Sequence, residues 1–95
     1  MNHSVYILYS EDINKFYIGT TGDIEVRIDQ HNNHEYVGSF TVRARDWVLY
    51  HCFDCPSQAI AIKVERHVKN MKSRKYLENL KKYPEMAVKL IERYS

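Results

Sequence analysis

The chain has 95 residues, a formal net charge of +2 and an apolar share of 44%. That length predicts one domain, residues 1–95, with little stability to spare, and no apolar run approaches the ~20 residues of a membrane-spanning helix. The start, Met1-Asn2-His3-Ser4, lacks the basic-then-apolar pattern of a signal peptide, so the cytoplasm is the expected location and a membrane partner is not expected.

Residues 3–9 and 15–20 read as strands, and the polar break Ser10-Glu11-Asp12-Ile13-Asn14-Lys15 between them reads as the loop of a hairpin. Thr20-Thr21-Gly22-Asp23 is rich in turn residues, with Thr21 or Asp23 placed to cap a helix over 23–32 that turns Ile24 and Ile28 to one side. Residues 33–46 carry few periodic apolar positions and are expected to form a long ordered loop. Trp47-Val48-Leu49-Tyr50-His51-Cys52-Phe53 is nearly continuous and aromatic, which predicts a central strand buried on both faces. Pro56-Ser57 opens a helix to about Met71, with Ser57 as cap and an apolar side of Ala61, Val64 and Val68. Ser73 caps a further helix over 74–82, with Tyr76, Leu77 and Leu80 inward. Pro84 starts the last helix, 84–93, with Met86, Val88, Leu90 and Ile91 as its apolar positions. The order β-β-α-β-α-α-α predicts an α+β fold: a small three-stranded sheet, a hairpin plus a central third strand, flanked by helices.

Charge is unevenly spread. Residues 1–62 carry a net charge of −4, residues 63–82 carry +6, and the last thirteen residues balance. A basic stretch of that kind fits a phosphate-binding face, although Lys is also a good solvated helix former. Eight tyrosines outnumber three Phe and one Trp, and Tyr suits half-buried positions with one wet end. Cys52 and Cys55 form a CxxC, but no second pair completes a zinc set and Pro56 does not supply the helix start of a redox motif; two reduced thiols near a strand end are expected.

The segments Ser4-Val5-Tyr6 and Tyr17-Ile18-Gly19, followed by Arg27 and His31 one turn apart and by Glu65, form an ordered set that resembles the GIY-YIG nuclease superfamily, in particular its small stand-alone bacterial members. Tyr17-Ile18-Gly19 is literal, while Ser4-Val5-Tyr6 stands where Gly-Ile-Tyr would. The similarity runs on through residues 24–31, 45–50 and 61–69, and covers roughly residues 3–82.

The resemblance implies a metal-dependent endonuclease acting on DNA, selective for structure rather than sequence, with specificity supplied by a protein partner or a homo-oligomer. Phosphodiester hydrolysis needs a deprotonated water, charge stabilisation at phosphorus, and a hard cation held by oxygen. By resemblance, Glu65 is the ligand of Mg²⁺ or Mn²⁺; taken alone, between Lys63, Arg66 and Lys69, it would read as a surface residue. Arg27 takes the family's phosphate clamp, a role that suits a planar guanidinium that keeps its proton. His31 stands where the family carries His or Tyr, with a proton-transfer or hydrogen-bonding role implied. Tyr6 and Tyr17 would converge on a water, and either is the implied general base; Tyr9, Tyr50, Tyr76, Tyr83 and Tyr94 read as structural. Gly19 reads as structural, leaving backbone space beside the site. Lys69, Lys72, Arg74 and Lys75 are candidates for sequence-independent backbone contact. Thr20 stands where some members carry Lys, which removes one phosphate contact and keeps a second reading open: a weak or inactive nucleic-acid-binding module acting with a partner.

Overall fold

The computed structural model describes residues 3–33 and 43–95. Its elements are β1 (His3–Ser10), β2 (Lys15–Thr21), α1 (Ile24–Asn32), β3 (Val48–Cys55), α2 (Gln58–Met71), α3 (Arg74–Lys82) and α4 (Pro84–Tyr94), in the expected α+β order. Among the described residues no helix is long and apolar enough to cross a membrane. Most of the loop expected over 33–46 lies outside the described residues, as does His34.

Local signals place the helix starts. Asp23, Ser57 and Ser73 are extended cap residues whose side chains accept the amides of Val26, Ile60 and Tyr76, satisfying donors that the first helical turn leaves without a carbonyl. Pro84 sits in the first turn of α4, where its missing N–H costs nothing. Asn14 supplies the left-handed residue of the β1–β2 turn (φ 52°), a conformation that Asn tolerates better than most.

The sheet order is β2-β1-β3, all antiparallel. The third strand is therefore at an edge, and the expectation of a central β3 is corrected. Its apolar run measures side-chain character, not the number of strand neighbours: Val48 and Leu49 are exposed, and Trp47, which is buried, precedes the strand. The strand covered on both faces and paired on both edges is β1, where Val5, Tyr6, Ile7 and Leu8 are all buried.

Alternation along β1 divides the interior in two. Val5 and Ile7 pack with Ala61, Val64, Val68, Leu77, Leu80 and Leu90 of the α2–α4 layer. Tyr6 and Leu8 pack on the opposite face with Ala44 and Trp47, flanked by Tyr17, Ile24, Ile28 and Cys52. Val88, expected on the apolar side of α4, is exposed. Cys52 pairs with Tyr6 and Cys55 with His3, so the two thiols point to opposite faces of the sheet. Both are free, and burial followed by the nearby Asp54 charge pushes both up, away from thiolate character. A shared metal or a disulfide between them does not fit.

Candidate active site

The antiparallel register places Tyr6 opposite Gly19 and Leu8 opposite Tyr17, so the two tyrosines stand diagonally on one face with ring centroids 6.2 Å apart. Gly19 is required by this arrangement. A Cβ at position 19 would lie 2.5 Å from the Tyr6 hydroxyl oxygen and 2.6 Å from Cζ, so the ring occupies the volume that any side chain there would need.

α1 brings His31 beneath both rings, with centroids 5.9 Å from Tyr6 and 4.9 Å from Tyr17. His31 is fully buried, and its Nε2 is 2.8 Å from the Tyr6 hydroxyl in a buried hydrogen bond. Burial, reinforced by the Arg27 guanidinium one helical turn away, lowers its pKa from 6.5 to about 4, so the ring is neutral at pH 7. The end of α1 is anchored by Asn32, whose amide accepts the Trp47 N–H at 2.8 Å and donates to the Trp47 carbonyl at 2.9 Å. The same segment holds the hairpin loop: Asp46 accepts the Ser10 hydroxyl at 2.5 Å and the Asp12 N–H at 2.9 Å, and these two bonds hold its carboxyl below its ordinary range.

Glu65 arrives from α2, in the opposite layer. Its Oε1 accepts from Lys69 Nζ at 3.2 Å, and that ammonium also lies 6.0 Å from the centre of the Tyr17 ring. Tyr17 belongs to the α1 side and Lys69 to the helical layer, so the contact is made past the outer edge of β2. Lys69 thus lies between the carboxylate and Tyr17.

A model of the GIY-YIG catalytic domain matches residues 2–79. A UPF0213 protein of Syntrophus aciditrophicus (strain SB) is 33% identical over 81 residues, spanning 85% of this chain and 92% of that protein. The solution NMR structure of a UPF0213 protein from Bacillus halodurans is 36% identical, with a TM-score of 0.50 over 84% of this chain and 82% of that one. The chain belongs to the GIY-YIG family. That places it in a nuclease superfamily, with nucleic acid as the class of substrate.

For a divalent ion, the carboxylate that the site geometry brings forward is Glu65, and no group of three or more His, Cys, Asp or Glu side chains gathers among the described residues. A partly exposed carboxylate outside any cluster of three or more metal-ligating side chains suits a hard, hydrated cation that completes its shell with water and phosphate oxygens better than it suits zinc.

The four helix cations named from sequence take different places. Lys69 is inside the site. Lys72 ends α2 in the left-handed conformation (φ 48°). Arg74 clasps the hairpin, donating from Nη1 to Asn14 Oδ1 at 2.9 Å and from Nη2 to the Asn14 carbonyl, with its guanidinium over the Phe16 ring. Lys75 is exposed and does not line the groove that the other three share. Sequence reasoning missed the anchoring roles of Asn32 and Asp46. Both act through bonds to residues more than a dozen positions away.

Proposed function

We propose that this protein is a metal-dependent endonuclease that hydrolyses DNA phosphodiesters, with Tyr6, Tyr17, Arg27 and His31 as its catalytic side chains and Glu65 as the ligand of Mg²⁺ or Mn²⁺. The observation that carries the reading is the buried Tyr6–His31 hydrogen bond beneath Tyr17, next to a guanidinium. A core tyrosine needs one partner for its hydroxyl; it does not need a neutral imidazole kept neutral partly by an arginine.

In the proposed reaction a water oxygen attacks phosphorus as its proton passes to the Tyr6 oxygen, while the Tyr6 proton passes to His31 Nε2. The bond from phosphorus to the leaving sugar oxygen breaks, that oxygen takes up a proton from solvent, and His31 returns its proton to solvent through Tyr6. A neutral phenol is a poor base on its own, and a histidine with a pKa of about 4 is a weak acceptor. Substrate eases the second deficit in part: a phosphate paired with Arg27 offsets the smaller of the two causes that depress His31, so the acceptor strengthens somewhat when the substrate is in place. Tyr17, less buried than Tyr6, orients the water and the phosphate. A divalent ion held by Glu65 would supply Lewis-acid stabilisation of the phosphoryl oxygens.

Labelled single-stranded, duplex, flap and branched DNAs, with RNA counterparts, incubated with Mg²⁺ or Mn²⁺ test the reading. Cleavage by the wild type is expected, abolished by EDTA and reduced at least ~10²-fold in Glu65→Gln and Tyr6→Phe. Equal rates in wild type and Glu65→Gln would overturn it.

A further inference from the structure

A groove of about 230 Å³ runs between the outer side of β2 and the junction of α2 with α3. Lys15, Lys69, Lys72 and Arg74 line it over an apolar floor that includes Phe16 and Leu77, and no acidic side chain lines it. Its cations differ in what they already do. Lys69 is committed to Glu65, and Arg74 to the hairpin. Neither Lys15 nor Lys72 forms an ion pair with a carboxylate among the described residues, so both ammonium groups are available to an anion.

The groove is continuous with the candidate active site through one residue: Lys69 lines it and also lies beside Tyr17. A polyanion that presents one phosphate to Arg27 and the tyrosines therefore meets Lys69 at the β2 edge and the Lys15–Lys72 pair beyond it. Lys72 sits at the corner where the chain turns from α2 into α3, in the left-handed conformation. Arg74 fixes Asn14, the residue next to Lys15, so the two lysines are held on opposite walls by the packed fold and are not carried on a loose tail.

We propose that this groove is the track for the flanking backbone of the same nucleic-acid strand: Lys15 and Lys72 bind a phosphodiester adjacent to the one in the active site, without reading bases. The assignment deepens the nuclease reading and rests on it for the nature of the polyanion. It adds Lys15 to the basic residues expected from sequence and removes Lys75 from them.

The test uses the full-length chain carrying Glu65→Gln, so that DNA is bound and not consumed, with a fluorescein-labelled single-stranded oligonucleotide. Amide shifts on binding are expected along residues 15–18 and 68–74, together with His31. Lys15→Gln with Lys72→Asn, the latter chosen because Asn accepts the left-handed conformation, is expected to weaken binding about tenfold at low salt and to reduce the slope of log K against log salt by about 1.4. Lys75→Gln is expected to stay within about twofold. Absence of binding, equal losses in both variants, or an unchanged slope would each overturn the groove assignment. The two readings fail separately: cleavage with an unperturbed groove removes the track and leaves the nuclease, while groove shifts without any cleavage by the unmutated chain keep the track and remove the nuclease.

Discussion

The two faces of the sheet are built from alternate residues of one strand, yet they solve different problems. On the helical side, Val5 and Ile7 meet Val64, Val68, Leu80 and Leu90. Such contacts are non-directional, and their worth scales with the apolar area removed from water. On the other side, Tyr6 meets Tyr17, His31 and the bare backbone of Gly19. There a buried hydroxyl and imidazole depend on direction, and a shift of under an ångström leaves a polar atom without its partner. The difference teaches that this small chain keeps its non-directional packing and its directional polar contacts on opposite faces of one sheet, so damage to one side is readable apart from damage to the other.

Leu80→Ala tests the separation most severely. Leu80 is fully buried in the helical layer, and its truncation is expected to cost about 2–5 kcal/mol in denaturant unfolding. The His31 titration of the molecules that remain folded should not move; a displaced His31 pKa would mean that the faces are coupled.

A pH series probes the opposite side. The folded pKa of His31 lies below its unfolded value, so the unfolded chain binds the proton more readily. Its contribution to stability is complete above pH 6.5, falls as the pH drops toward 4, and by then has cost about 3 kcal/mol. Unfolding curves at several pH values should show this loss in wild type and lack that component in His31→Gln; parallel curves would deny the burial of a neutral imidazole.

Gly19→Ala is next. The added methyl meets the Tyr6 ring, for an expected loss of about 1–3 kcal/mol together with a changed Tyr6 ring environment by NMR. An unchanged aromatic spectrum would show that the glycine is not there for Tyr6. The smallest effect is expected of Arg27→Gln. It should raise the His31 pKa without restoring it to 6.5, because burial is the larger cause; full restoration would make Arg27 the dominant influence.

Much of this was legible because the signals are local. Caps at Asp23, Ser57 and Ser73 and the proline at 84 are chemistry of single residues at helix starts, and each appears where expected. Sheet order was not legible in that way. Strand 47–53 looked the most buried, but β1 holds the middle because the β1–β3 pairing joins residues about 40 to 50 positions apart, a choice that no short window contains. At the site, Tyr6, Tyr17, Arg27 and His31 are named by resemblance to the family's motifs, and the structure brings the two tyrosines and His31 together. The reason for Gly19 appears only with the register that sets Tyr6 across from it. The basic helix residues were equivalent as charges along the chain, and packing alone separates Lys69, bound to Glu65, from Lys75, which stands clear of the groove.

The position of β1 also bears on how the protein is made. Tyr6, Tyr17, Gly19, Arg27 and His31 all lie within the first 31 residues, and their hairpin closes over a short loop. A chain emerging from the ribosome therefore presents these residues before Ala44 and Trp47, which complete their side of the sheet, and Val5 and Ile7 wait longer still, for helices encoded by residues 58–94. Glu65 is delivered by the first of those helices. The nascent chain thus receives the proposed metal ligand with the segment that begins to cover its apolar face, so an incomplete polypeptide carries aggregation risk without the full set of proposed site residues.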